Sequence, residues 1–468
     1  MKFTLIGQDI PMLLPTLLTD LLFAGKERDA EIVLEEKNGA MAELLTGYGE
    51  VILKKAGLGG SIRTTGNREE ALRGADCVLY AGDPQAASRF FMDRAALESG
   101  NEKNPEDPGL TDQARVNGGI GGLLHALRAG QAVLELCDAM EKACPETLVI
   151  NLGQPVARTT EIFLRRGFRC LGLGRTPLKG ANGLDTLTKR LRTRPEDTDW
   201  EIAGLPGFSF LTKLKDRESG KDWIPRLKKA ARENELGQLT RRWLDWWDAL
   251  AVGDVTDHAE FLPAQPDYIP EEKPEFGETV ERRKERILYM NTVREQGADA
   301  GEGAMAQLLL LSRVPPVRPM RLALAVLRKE NADLPAVTHR NEVSRGGSGA
   351  DSGTEILLDD GKKPAGFVSG KELPQLPADA VVETSLKLEK GRPVAREIRL
   401  TPALAEVMTE IDAANRLAAR AAMGDREALR EYVETDPALG GLDRLYSLDV
   451  VNRMIEVHQD LLEQWRDD

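Results

Sequence analysis

The sequence predicts an α/β protein with a doubly wound parallel sheet in its N-terminal part and an α+β C-terminal part. Strand-like and helix-like segments alternate over about the first 175 residues, and this alternation stops near Asn182. The 468 residues exceed the length of one ordinary domain, and hydrophobic residues at 41% are sufficient for packed cores. We therefore expect two domains, at residues 1–180 and 181–468.

Six short apolar runs predict the strands of the N-terminal sheet: 2–7, 31–36, 61–65, 76–82, 147–153 and 169–174. Segments with helical spacing lie between them, at 12–22, 40–55 and 118–143. Such sheets bind ligands beyond the carboxyl ends of their strands. The residues that we expect to crowd this edge are Gly7, Glu36, Gly82, Asn151 and Gly174.

The C-terminal part has a less regular pattern. A strand is predicted at 199–205, and a Gly- and Ser-rich stretch at 344–370 predicts a surface hairpin. Three helices are expected from Pro402 onward, the last running roughly from Leu442 to Trp465. Tryptophans at i, i+3 and i+4 predict a helix face packed on a core: Trp243, Trp246 and Trp247.

The charge balance narrows the classes of function. Acidic residues outnumber basic ones by 76 to 63, which gives a net charge of −13 and argues against nucleic acid and anionic membrane surfaces as partners. No run approaches ~18 apolar residues, so no membrane span is expected, and the first residues predict a strand and turn instead of a signal peptide. Four cysteines without metal-ligand spacing predict free buried thiols and a cytoplasmic protein: Cys77, Cys137, Cys144 and Cys170.

A dinucleotide site has only weak support from the residues alone. The turn after the first strand contains Gly7 but no further glycine, so a glycine-rich phosphate-binding fingerprint is absent. Glu36 ends the second strand, where a carboxylate can accept a hydrogen bond from a ribose hydroxyl. Acidic residues are common at strand ends, so both interpretations of Glu36 stay open.

Motifs in a consistent order extend over nearly the whole chain. They are LIGQDIPMLLPTLLTDLL near the start, and the segments 118–155, 201–214, 257–263 and 373–383. Together they resemble glycoside hydrolase family 4, the NAD- and metal-dependent glycosidases. The resemblance implies a Rossmann-like domain followed by a C-terminal domain arranged as in lactate and malate dehydrogenases. It also implies NAD as cofactor, a small-molecule sugar or glycoside as substrate, and a homo-oligomer (dimer or tetramer).

The sequence departs from the family at its metal site and its phosphate loop. The resemblance places metal-ligating Cys and His at two positions that are Gly174 and Gly207 in this chain, and glycine side chains supply no donor. No metal is therefore expected. Asp9 takes the place of a phosphate-loop glycine, adding bulk and a like charge near a pyrophosphate. Alternatively, Asp9 caps the following helix beside an empty site.

The family mechanism implies which residues act. It oxidises the sugar at carbon 3 with NAD, removes the carbon 2 proton, eliminates the glycosidic substituent, adds water and reduces the sugar again. We hypothesise that Arg175, next to the lost Cys, replaces the metal as electrophile, although a solvated arginine at a strand end explains it equally well. Asp257 and His258 are the candidate orienting group and base.

The remaining predicted contacts are with cofactor and sugar. The cofactor-binding candidates are Gly7, Glu36, Gly82 and Asn151, and the substrate-binding candidates are Asn117, Arg128, Asn151 and Gln154. A competing hypothesis is a catalytically inactive homologue that acts as a partner subunit or sugar-binding protein, because two functional sites have changed. A third is an NAD-independent eliminase or isomerase that uses Arg175.

Overall fold

Thirteen strands form one mixed sheet in the computed structural model of the chain. The structure describes residues 1–8, 10–23, 29–82, 85–103, 110–174, 180, 182–264, 280–297, 319–342, 344–345 and 371–465. The strands are β1 (Lys2–Ile6), β2 (Glu31–Glu35), β3 (Ser61–Thr65), β4 (Cys77–Tyr80), β5 (Leu148–Asn151), β6 (Arg169–Gly172), β7 (Thr198–Leu205), β8 (Phe208–Asp216), β9 (Leu250–Ala251), β10 (Ala332–Arg340), β11 (Ser344–Arg345), β12 (Val381–Glu389) and β13 (Arg392–Ala395).

Helices cover both faces of the N-terminal part of this sheet and pack against its C-terminal part. The larger ones are α1 (Ile10–Phe23), α2 (Gly39–Lys55), α4 (Ala86–Lys103), α5 (Gly119–Ala143), α6 (Val156–Arg165), α9 (Gln238–Trp247), α11 (Val280–Gln296), α13 (Pro402–Ala422), α14 (Arg426–Thr435) and α15 (Arg444–Val457). The shorter ones are α3 (Arg68–Leu72), α7 (Leu184–Leu191), α8 (Ile224–Arg232), α10 (Val255–Ala259), α12 (Pro319–Leu327) and α16 (Gln459–Leu462).

The predicted doubly wound sheet is confirmed. Strands β1 to β6 are parallel in the order β3-β2-β1-β4-β5-β6, and each lies within two residues of its predicted bounds. Thr4 of β1 pairs with Val33 on one side and with Val78 on the other. Phe3 and Leu5 are fully buried, as expected for a central strand with helices on both faces. All carboxyl ends of these strands therefore meet at one edge.

The second part of the chain extends the same sheet with antiparallel strands. Strand β10 joins β6 through Thr338 and Gly172, and β12 pairs with both β10 and β7. The β7–β8 hairpin then brings residues 204–209 next to β12. Of the predicted hairpin at 344–370, the structure describes only Ser344–Arg345, which pairs in parallel with β13. The rest of that prediction lies outside the described residues.

The C-terminal helices pack back onto the N-terminal part. Residues of α13, α14 and α15 share one apolar core with α5 and α6. The Asp436 carboxylate, just after α14, accepts a hydrogen bond from the first amide of α5, from Gly119 N to Oδ2 at 2.7 Å. The three predicted helices are present, but the last ends at Val457, not at Trp465. After a break at His458, α16 and a 3₁₀ turn continue the segment to Trp465. The buried ring of His458 contacts Asp93, with Nε2 and Oδ1 2.5 Å apart.

Of two further sequence predictions, the buried tryptophan face is correct for two of its three residues, and the free buried cysteines are confirmed. Trp243 and Trp247 are buried in the core, whereas Trp246 is 52% exposed on the same helix. All four cysteines are free and buried, and burial raises the pKa of the Cys144 thiol to about 11. Among the described helices, none has both the length and the apolar character that a membrane span requires.

Candidate functional site

Gly7 and Gly82 come into contact at the carboxyl edge of the parallel sheet. Gly7 has a φ of +121°, and a Cβ at this position would lie 2.6 Å from the carbonyl oxygen of Gly82. Gly82 also has a positive φ, of +104°, and the Gln8 amide donates to its carbonyl at 3.4 Å. Only glycine allows the backbones to approach this closely. Two predicted cofactor residues, one after β1 and one after β4, are thus brought together.

The end of β2 supplies an acidic group next to this turn. Glu36 is partly exposed, and its Oε1 accepts a hydrogen bond from the Asn38 amide at 2.8 Å. Strand order, the glycine contact after β1 and a carboxylate after β2 together fit a dinucleotide such as NAD. Asp9, the residue that the sequence places against the pyrophosphate, lies outside the described residues.

Asn151 ends β5 and is fully buried. Its side-chain amide donates to the hydroxyls of Thr159 and Thr160 at 2.8 and 2.9 Å, and its Oδ1 accepts from the Gly153 amide at 2.9 Å. Both amide hydrogens are therefore used within the protein. Asn151 therefore stabilises the loop before α6. Gln154 lies in this loop at the carboxyl edge of the sheet and is partly exposed.

Arg128 does not face the sheet edge, which corrects its predicted contact with the sugar. Its side chain is 1% exposed, and both terminal nitrogens donate to the carboxylate of Asp93, at 3.0 and 2.6 Å. His458 contacts the same carboxylate. The match to the family motif placed Arg128 correctly on α5. Its guanidinium is paired with a buried carboxylate and is therefore not available to a sugar.

His258 is also misassigned by the sequence. Its ring is fully buried between Phe208 and Phe210, with centroid distances of 5.0 and 5.2 Å, and burial lowers its pKa to about 4. Nε2 contacts the Val252 carbonyl at 3.3 Å, and Nδ1 has no partner among the described residues, so Asp257 does not orient the ring. A neutral core histidine explains these contacts better than a general base does.

Glu260, two residues after His258, contacts the predicted substrate residue Asn117. Its Oε2 accepts from the backbone and side-chain amides of Asn117, at 2.9 and 2.8 Å, and from Val116 N at 3.2 Å. Burial raises the pKa of Glu260, and the Asn117 donors oppose the rise. The Asn117 carbonyl accepts from the buried guanidinium of Arg158. Predicted substrate residue Asn117 is therefore held rigidly from both sides.

The described residues do not fit the metal of the family. A Cβ at Gly207 would lie 3.2 Å from the Phe261 ring, and φ there is +82°, a conformation that suits glycine. At Gly174 the nearest group is the carboxyl of Glu383. Within the described ranges, no group of three or more His, Cys, Asp or Glu side chains could hold a metal ion. Arg175, the proposed replacement, lies outside the described residues.

Glu383 is the second site residue that the sequence did not reveal. It is fully buried on β12; its Oε2 lies 2.6 Å from the Ser209 hydroxyl, and its Oε1 has no hydrogen-bond partner among the described residues. Oε1 would be 2.7 Å from a Cβ at Gly174. Burial raises the pKa of Glu383 to about 7, opposed by the Ser209 hydrogen bond. A glutamate in the motif LPADAVVE marked the position, but nothing in the sequence indicated its burial.

Sequence comparisons find a known family similar to the first part of the chain. The sequence model of "Family 4 glycosyl hydrolase" matches residues 12–185. An alpha-glucosidase of Erwinia rhapontici is 28% identical over 193 residues, 41% of either chain. A 6-phospho-alpha-glucosidase of Lacticaseibacillus paracasei is 27% identical over 187 residues, 40% of this chain and 39% of its own. The matched region thus spans less than half the length of these curated relatives.

Solved structures extend the likeness in fold to the whole chain. A 6-phospho-alpha-glucosidase from gut microorganisms, in complex with NAD and Mn²⁺, has a TM-score of 0.69 at 16% identity and covers 98% of both chains. A 6-phospho-beta glucosidase of Thermotoga maritima, with NAD and glucose-6-phosphate, has a TM-score of 0.65 at 17% identity, covering 98% of this chain and 99% of its own. The segment 12–185 is therefore similar to the family 4 glycosyl hydrolases, and the whole chain shares the fold of these two glucosidase structures.

Proposed function

We propose that the protein hydrolyses a glycoside by NAD-dependent oxidation, elimination and addition, without the divalent metal used by its relatives. The observation that carries this proposal is the contact of Gly7 with Gly82 at the carboxyl edge, with Glu36 at the end of the neighbouring strand. This arrangement retains the elements of a dinucleotide site, and NAD stands in the names of two structural neighbours. When bound, NAD supplies a reversible two-electron oxidation of the sugar.

The residues of the chain would bind and orient the sugar. Asn117, fixed by Glu260 and Arg158, and Gln154 after β5 are the polar groups at the edge that we assign to sugar binding. A glucose-6-phosphate complex among the neighbours favours a phosphorylated glucoside as the substrate class. We keep Arg175 as the proposed electrophile for the negative charge that develops when the carbon 2 proton leaves.

The metal-free part of the proposal rests on two glycines. Gly174 and Gly207 supply no ligand, and no other cluster of donors replaces them in the described part of the chain. We expect Mn²⁺ to leave both the melting temperature and the turnover unchanged. Stabilisation by Mn²⁺ that EDTA reverses would contradict this part and leave the glycosidase assignment intact.

The same glycines favour a second candidate function, a catalytically inactive homologue that binds a sugar or a partner subunit. A protein without the metal lacks one source of stabilisation for the negative charge that develops in the transition state, and such stabilisation is often the largest catalytic contribution. This candidate predicts sugar binding without reduction of NAD, whereas the active enzyme requires both. Size-exclusion chromatography with light scattering tests the homo-oligomer that we propose for either candidate.

NAD binding and turnover decide between the candidates. Thermal unfolding with and without NAD measures binding, and a ligand at 100 times its dissociation constant adds about 2.7 kcal/mol of stability. Turnover is measured with 4-nitrophenyl α- and β-glucosides, each with and without a 6-phosphate. If millimolar NAD leaves the melting temperature unchanged, the oxidative mechanism is excluded. Binding without release of nitrophenol or formation of NADH favours the inactive homologue.

A further inference from the structure

Glu383 lies where two parts of the candidate site meet. Its Oε1 faces Gly174 at the end of β6, and its Oε2 contacts Ser209, two residues after Gly207 on the β7–β8 hairpin. The resemblance to the family places its metal-ligating side chains at these two glycines. The carboxyl group therefore lies next to one of the two glycines and contacts a residue two positions from the other.

The contacts of Glu383 leave one oxygen available. The Ser209 hydroxyl has a single hydrogen but lies within bonding distance of two acceptors, the Leu205 carbonyl at 3.0 Å and Glu383 Oε2 at 2.6 Å. A protonated carboxyl can donate to Ser209 while that hydroxyl donates to Leu205. After proton loss, the hydroxyl can turn to Oε2. In both states Oε1 stays without a partner among the described residues.

The surroundings of Glu383 make proton exchange feasible near neutral pH. No basic or acidic side chain of the described elements packed against it, β6, β7, β8 and β10, contributes to its pKa, which burial alone raises, to about 7. Its strand neighbours are Gly204 on β7 and Thr338 on β10, neither of which carries a charge. A carboxyl group with a pKa near 7 is suited to general base catalysis near neutral pH.

We propose that Glu383 is the general base of the oxidation step, a catalytic role that rests on the proposed function. The carboxylate Oε1 takes the proton of the sugar hydroxyl as the hydrogen on the same carbon leaves with its electron pair for the nicotinamide of NAD. The carbon–hydrogen and oxygen–hydrogen bonds break, and a carbonyl, a protonated Glu383 and NADH result. Glu383 thereby replaces the metal's help in removing the hydroxyl proton.

The test follows NADH formation in a single turnover with excess enzyme, NAD and glucose 6-phosphate, from pH 5.5 to 9. In the wild type the rate should rise about tenfold per pH unit below pH 7 and level off above it. Glu383→Gln keeps the size of the side chain but cannot accept the proton, so the rate should fall at least a hundredfold at every pH. Ser209→Ala should move the rise to higher pH, because the carboxylate loses its donor.

Asp412→Asn is the matched control, because burial also raises the pKa of Asp412 to about 7, but its carboxylate pairs with Arg416 on α13. This variant should keep the wild-type pH profile. An infrared difference spectrum between the wild type and Glu383→Gln, without ligand, checks the charge state: the band of a protonated carboxyl should disappear between pH 6 and 8.

The outcomes separate this inference from the proposed function. NAD binding with NADH formation that is unchanged in Glu383→Gln overturns the base and leaves the proposed function standing. A wild type that binds no NAD, or forms no NADH, overturns both. A carboxyl band that persists at pH 9 also overturns the base, because the residue then holds its proton throughout the working range.

Discussion

The buried guanidinium of Arg128 on α5 is held by both oxygens of Asp93 on α4, with nitrogen–oxygen distances of 3.0 and 2.6 Å. Both side chains are at most 2% exposed. This pair joins two helices, and His458 adds the C-terminal segment to the same carboxylate. The network is therefore part of the packing of the molecule. Its loss should lower the free energy of unfolding more than it lowers activity.

Replacing Arg128 by Met should lower the free energy of unfolding by about 3 kcal/mol, because it leaves the Asp93 carboxylate buried with only His458 beside it. Urea denaturation at pH 7 measures the loss. Arg94→Met is the matched control, because Arg94 forms an exposed pair with Glu98 on the same helix and should cost less than about 1 kcal/mol. Equal losses in the two variants would contradict the assignment.

Gly7→Ala should destabilise the protein by at least about 2 kcal/mol, because its Cβ would collide with the Gly82 carbonyl and φ is +121°. The displaced turn should also abolish the thermal shift caused by NAD. Gly57→Ala provides the control, since φ is +62° but no heavy atom lies within 4 Å of the added Cβ. Its cost should be smaller and its NAD response normal; an NAD shift that survives in Gly7→Ala would remove this turn from the cofactor site.

His258 should weaken the protein at acidic pH. Burial lowers its pKa from the usual 6.5 to about 4, so the unfolded chain takes up a proton between these values and the folded protein does not. Stability is fully present above pH 6.5 and falls as the pH drops to 4, by about 3 kcal/mol. His258→Phe, which fits the aromatic surroundings, should remove this loss in urea titrations at pH 7 and 4.5. It should also retain turnover, and a folded but inactive variant would restore His258 as the base.

Glu383 should weaken the protein at the opposite end of the pH range. Burial raises its pKa from the usual 4.5 to about 7, so the folded protein holds a proton that the unfolded chain has lost. Its contribution is fully present below pH 4.5 and falls as the pH rises through 7, by about 3 kcal/mol. Against Glu383→Gln, the wild type should therefore lose relative stability between pH 5 and 8. Parallel stability curves for the two proteins would show that burial does not shift this carboxyl.

The parallel sheet could be predicted from the sequence because its strands are buried on both faces. The runs 77–81 and 148–150 are apolar throughout, and glycine or asparagine follows each of them. The parallel direction of the strands followed from their alternation with helices. The contact of His458 with Asp93 could not be predicted, because the two residues are 365 positions apart in the sequence.

The candidate site was predicted less completely, because side-chain roles depend on contacts that no local pattern contains. His258 and Glu260 stand two residues apart, and a helical turn separates their directions by about 200°. One enters the aromatic core and the other reaches Asn117. The motif located the segment but not this difference. The role of Glu383 could not be predicted for a similar reason. Alternate residues of a strand face opposite sides of the sheet, and the motif does not show which side Glu383 faces.

The hydrogen bond from the Gly119 amide to the Asp436 carboxylate joins residues 317 positions apart. A ribosome adding roughly 5–20 residues per second needs on the order of 15–60 s to cover that distance. During this interval α5 has been made, but the helices that cover it and the carboxylate that caps it have not. The apolar face of α5 therefore stays exposed on the nascent chain, and its complete burial requires translation through α15.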